Sequence, residues 1–76
     1  MKIIKTDKAP QAIGSYSQAI VSDNFVFTSG QIAINPSTGQ MVSGDIELEI
    51  KQVIRNLENI LIKSNSSLYQ IVKINV

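Results

Sequence analysis

The chain has 76 residues, a net charge of +1, 43% hydrophobic and 17% charged residues, and neither cysteine nor histidine. It is one domain at most, globular in composition, with no disulfide, no thiolate ligand and none of the commonest acid–base residue. The lysines and the single arginine form no basic block, no apolar run approaches the roughly 18 residues of a membrane span, and no apolar leader core follows Met1. The sequence therefore reads as soluble and cytoplasmic, with neither a nucleic-acid nor a membrane partner.

Lys2-Ile3-Ile4-Lys5 is a short apolar pair flanked by charge, the pattern of an edge strand. Ala9-Pro10 breaks it and Gly14-Ser15 marks a second bend. Ser17–Val21 and Phe25–Thr28, separated by Ser22-Asp23-Asn24, predict a hairpin. Asn35-Pro36-Ser37-Thr38-Gly39 is a turn, with proline pre-setting φ and Gly39 free to take φ > 0. Asp45 then caps a helix whose apolar stripe is Ile46, Ile50, Val53, Ile54, Leu57, Ile60 and Leu61. Asn65-Ser66-Ser67 ends it, and the alternation from Ile71 to Val76 predicts a last strand with one wet face. The order is β-β-β-α-β, an α+β fold with a helix on one face of the sheet. Seven apolar side chains on the helix need more cover than these short strands supply. Other subunits or further chain are expected to provide it, and oligomerisation is the usual remedy for so small a core.

Candidate chemistry is sparse. Ser29 stands at a strand end before Gly30. Without histidine or a G-x-S-x-G elbow it is no serine-hydrolase nucleophile, and it reads as a structural hydroxyl or a ligand contact. Tyr16 is either a phenol donor to a ligand or a buried strand tyrosine. Gly30 either lets a backbone N–H approach a ligand or ends a strand. Asp45, Glu47, Glu49 and Glu58 are a helix cap and a solvated face. No carboxylate pair has metal-ligand or acid–base spacing.

Five segments in order carry a resemblance: Gly14-Ser15-Tyr16-Ser17-Gln18-Ala19, Phe27-Thr28-Ser29-Gly30-Gln31, Asn35-Pro36-Ser37-Thr38-Gly39, Gly44-Asp45-Ile46 and Gln52-Val53-Ile54-Arg55-Asn56-Leu57. Together they resemble the RidA (YjgF) family of reactive-intermediate imine deaminases, in register from about Ala9 to Val76. The resemblance implies a chorismate-mutase-like protomer with a mixed sheet, a homotrimer, and pockets between subunits. The implied reaction is hydrolysis of 2-iminobutanoate and 2-iminopropanoate to 2-oxo acids and ammonia, without a cofactor. An iminium carbon is already electrophilic, so positioned dipoles and water suffice. By position, Tyr16 and Ser29 are implied as catalytic, and Tyr16, Ser29 and Gly30 as substrate-binding.

Two departures qualify the match. Ser15 stands where the family usually has proline, which leaves the loop before Tyr16 more flexible. The family pattern also runs about fifty residues longer, against a usual domain of ~100–150 residues. The expectation is thus a single domain over residues 1–76 that matches the N-terminal portion of the family domain, truncated before its second helix and last strands. The family's carboxylate-binding arginine and a late glutamate would lie in that portion. Arg55, on the polar side of the helix, is not expected to replace that arginine. The alternatives are a non-catalytic remnant that binds small carboxylates weakly or binds nothing, and a ribonuclease or translation inhibitor, which the charge and the missing histidine disfavour.

Overall fold

The computed structural model describes residues 1–12 and 16–74. Strands β1 (Lys2–Ile4), β2 (Ala19–Ser22) and β3 (Phe25–Thr28) form an antiparallel sheet in the order β1-β2-β3. The pairings Ile4↔Ala19↔Thr28 and Ile3↔Ile20↔Phe27 fix the register. Between β2 and β3 the chain reverses on two residues, Asp23 (φ 50°) and Asn24 (φ 68°). Both left-handed positions are those of a type I′ hairpin turn, which Asp and Asn tolerate better than most residues.

One face of the sheet carries Ile4, Ala19, Val21 and Val26, and with Ala9 and Ile60 these residues make the core. The opposite face carries Ile3, Ile20, Phe25 and Phe27. Ile3, Phe25 and Phe27 are all more than half exposed, and the two phenylalanine rings lie 6.4 Å apart.

Helix α1 (Ile46–Lys63) begins at Asp45, whose carboxylate accepts from the Glu47 and Leu48 amides. It ends in a Schellman arrangement. Asn65 takes φ 60°, Asn65 N–H donates to the Ile62 carbonyl, and Ser66 N–H donates to that of Leu61. The expected stripe divides in two. Ile60 and Leu61 are buried, whereas Ile46 is 72% exposed and Ile50 and Ile54 about half exposed. The sheet is too short to reach the first turns of the helix.

The turn at Asn35–Gly39 forms as expected. Asn35 Oδ1 accepts from Ser37 N–H at 2.8 Å, Gly39 takes φ 73°, and Ile34 bridges to Met41. The strand expected from Ile71 is not seen among the described residues. A 3-10 turn (Leu68–Gln70) follows the helix, and residues 71–74 pair with neither β1 nor β3. An alternating sequence makes a strand only where another edge accepts its hydrogen bonds. The described sheet is therefore purely antiparallel rather than mixed, and Asn75 and Val76 lie outside the described residues. The α+β class stands, with one helix on one face of three strands.

Candidate functional site

β2 and β3 are in register up to Ala19↔Thr28, and the residues just beyond that pair carry the candidate chemistry. Ser29 N–H continues the ladder to the Gln18 carbonyl at 3.0 Å. Its hydroxyl donates to the Ser17 carbonyl. Ser29 is half-buried, and with its proton committed to Ser17 its oxygen keeps lone pairs to accept a further hydrogen bond. Tyr16, immediately before Ser17, is 74% exposed and belongs to no strand, so the buried-tyrosine alternative does not hold. Gly30 is exposed, and no atom lies within 4 Å of where a β-carbon would stand. The Ser17–Ser29 bond thus brings the Tyr16 loop and the Ser29-Gly30 segment to one end of the hairpin.

Two buried carboxamides support this end, and sequence reasoning gave neither a role. Gln18 is 3% exposed. Its Oε1 accepts from Thr6 N–H at 2.6 Å, and its Nε2 donates to the carbonyls of Thr6 (2.9 Å), Pro10 (2.8 Å) and Ala9 (3.3 Å). Asn56, in α1, is fully buried. Its Nδ2 donates to the carbonyls of Ile32 (3.1 Å) and Ile34 (2.9 Å), and its Oδ1 accepts from Gln52 Nε2 at 2.8 Å. The available signal was positional. Gln18 abuts core residue Ala19, and Asn56 sits four residues before buried Ile60. A polar residue on an apolar face must be satisfied there.

Two concave surfaces lie elsewhere. A polar cleft of about 430 Å³ is lined by Asp7, Lys8, Asn35, Gln52, Arg55 and Asn59, among others. An apolar groove of about 470 Å³ runs along Ile32, Met41, Ile46, Ile50 and Ile54. Neither is lined by Tyr16, Ser29 or Gly30, so Arg55 stands apart from the candidate site. Among the described residues no cluster of acidic or sulfur ligands could hold a metal, and no helix is long and apolar enough to cross a membrane.

A three-stranded antiparallel sheet with one helix across it, and polar residues gathered beyond the β2–β3 pairing, defines a small α+β module. Comparison with known proteins makes the assignment specific. The model of the family described as Endoribonuclease L-PSP matches residues 6–76. A RutC family protein of Pyrococcus abyssi is 49% identical over 75 residues, which cover 99% of this chain and 59% of that protein. The rat protein named 2-iminobutanoate/2-iminopropanoate deaminase is 45% identical over 75 residues, covering 99% of this chain and 55% of that one. The crystal structure of RidA from an Antarctic Psychrobacter superposes with a TM-score of 0.88 at 38% identity, covering 95% of this chain and 58% of the other. The chain belongs to the Endoribonuclease L-PSP family, which is the RidA (YjgF) family, and corresponds to the N-terminal part of its domain. It spans somewhat over half the length of these relatives.

Proposed function

We propose that this protein takes part in the hydrolytic deamination of 2-iminobutanoate and 2-iminopropanoate to 2-oxo acids and ammonia. The observation that carries the reading is the 45% identity, across 99% of this chain, to a protein named for that activity. The residue types at the hairpin end are compatible with it. Water adds to the imine carbon, forming a C–O bond while the C=N π pair moves to nitrogen, which takes up a proton. The carbinolamine then loses ammonia as its hydroxyl proton leaves. In this reading Ser29 Oγ, whose own proton goes to Ser17, accepts a hydrogen bond from the attacking water. The Tyr16 hydroxyl donates to the nitrogen, and the Gly30 backbone lies against the substrate. No redox step or strong nucleophile is needed, because the imine carbon is the electrophile.

Tyr16 and Gly30 are exposed in the single chain, so the proposal includes enclosure of the site by another protein surface. A homotrimer is the assembly the resemblance implies, and the exposed Ile3, Phe25 and Phe27 face suits such burial. A cytoplasmic setting belongs to the same proposal, to be read by cell fractionation.

The test supplies 2-iminobutanoate from a threonine dehydratase and follows the imine remaining to be trapped by semicarbazide. The chain should speed imine loss, and Tyr16→Phe and Ser29→Ala should each slow it about 10- to 100-fold. Unchanged rates in both variants would remove these residues from the site. No acceleration by the parent chain would favour a non-catalytic binder of small carboxylates, checked by titration with 2-oxobutanoate. The family description also contains the word endoribonuclease. RNA cleavage that co-purifies with the chain and is lost in Tyr16→Phe would favour that reading.

A further inference from the structure

The segment that follows β3 crosses open space at Gly30, yet it is fastened on both sides. At its start, Ser29 is held to the Ser17 and Gln18 carbonyls through its hydroxyl and its N–H. Three residues later the Ile32 carbonyl is held by Asn56 Nδ2, and the same nitrogen holds the Ile34 carbonyl. Only Gly30 and Gln31 lie between the two fastenings, and no atom lies within 4 Å of where a β-carbon of Gly30 would stand. Asn56 is itself aimed, because Gln52 Nε2 occupies its oxygen and so settles which end of the amide faces the segment. Asn56 is also the polar residue that helix α1 buries completely.

We infer that Asn56 is a positioning residue: through the Ile32 and Ile34 carbonyls it sets the orientation of the Gly30 and Gln31 peptide groups. It touches no substrate and does none of the chemistry. The inference rests on the site proposed above only insofar as Gly30 is a ligand contact; the clamp stands on the hydrogen bonds alone. A preorganised peptide dipole acts on a ligand without the cost of ordering it at each encounter. Glycine at position 30 leaves that peptide open to a ligand but gives it no stiffness of its own, so stiffness must come from the fastenings beside it.

Two substitutions test this. Asn56→Leu keeps a similar volume and removes both donors. Asn56→Asp keeps the shape but, when ionised, turns acceptors toward two carbonyls. When protonated, its O–H can donate to one of them. Backbone ¹⁵N order parameters of Gly30 and Gln31 should drop in Asn56→Leu from about 0.85 toward 0.6. Exchange of the Ile34 and Val42 amides, which bond the Ile32 and Ala33 carbonyls, should speed at least about tenfold more than exchange in the β2–β3 ladder. In Asn56→Asp, burial and the facing carbonyls raise the folded-state pKa above about 3.9, so the segment should tighten as pH falls toward that value, a trend the parent should lack. Uniform loosening of the whole chain, or no change at Gly30 and Gln31, overturns the inference. Where the parent binds 2-oxobutanoate, its dissociation constant should rise about tenfold in Asn56→Leu with Tyr16 and Ser29 intact. An unchanged constant would confine Asn56 to the fold. Failure of the parent to bind counts against the deaminase reading and leaves the clamp to be decided by the relaxation and exchange data.

Discussion

Replacing Gln18 is the most demanding test of how this small chain holds together. Its amide engages four backbone groups, three of them at 2.9 Å or less, and it sits beside core residue Ala19. Gln18→Leu keeps much of the volume and removes every partner. Each such hydrogen bond contributes about 0.5–1.5 kcal/mol net, and each buried group left unpaired costs about 1–3 kcal/mol. The Thr6–Pro10 loop is partly exposed, so water will reach some of the freed groups. The expected loss is about 2–4 kcal/mol. For a chain of this length total stability is on the order of 4–11 kcal/mol, so the variant should unfold at a much lower urea midpoint. Urea unfolding followed by circular dichroism at fixed protein concentration measures this.

Gln18→Glu separates chemistry from packing. The ionised carboxylate keeps the bond from Thr6 N–H but faces the Thr6, Ala9 and Pro10 carbonyls as a second acceptor. Its folded-state pKa must therefore lie above the unfolded value of about 4.3. The folded form holds the extra proton, so the variant is most stable below that value and loses stability as pH rises through the folded pKa. A loss under about 0.5 kcal/mol in Gln18→Leu, or a flat pH dependence in Gln18→Glu, would refute the view that this amide organises the N-terminal loop.

The two halves of the helix stripe should respond differently to truncation. Ile60→Ala empties a fully buried site and should cost about 2–5 kcal/mol, whereas Ile46→Ala, at a mostly exposed site, should stay within about 0.5 kcal/mol in dilute monomer; thermal unfolding compares them. Replacing Phe25 and Phe27 together with threonine should shift any oligomer toward monomer in sedimentation velocity while β2–β3 pairing persists by NMR. An unchanged sedimentation coefficient in an oligomeric sample would place the contact elsewhere.

What could be read from the sequence was what local chemistry decides. Asp45, the Asp23-Asn24 reversal and the Asn35–Gly39 turn each act within a few residues, through a capping carboxylate or a tolerated left-handed φ. The hairpin and the helix followed from their periodicities. Two features needed the third dimension. Whether Ile71–Ile74 pairs depends on a neighbouring edge, and no pattern within the segment encodes that edge. The roles of Gln18 and Asn56 depend on which carbonyls lie opposite them, at separations from 8 to 24 residues. The motif residues Tyr16, Ser29 and Gly30 could be named in advance, but the exposure of Tyr16 could not.

That exposure bears on how such a site would work. Ser29 is held by the Ser17 carbonyl, and Asn56 holds the Ile32 carbonyl on the far side of Gly30, so the geometry of this segment is set by the chain itself. The strength of its dipoles in the proposed site is not, because a dipole in contact with bulk water is screened, whereas the same dipole under a cover acts at a far lower effective dielectric. In the proposed site, position and dielectric would thus be supplied separately: the hairpin and helix would give the first, and a surface covering Tyr16 would give the second. It follows that substitutions of the exposed face residues Ile3 and Phe25, which belong to neither the Tyr16 nor the Ser29 segment, should depress imine hydrolysis in step with loss of assembly. Substitutions at Asn56 should depress it in fully assembled protein. Measuring rate against oligomer fraction for both sets separates the two contributions, and a common curve for both would show that the clamp and the cover are one device.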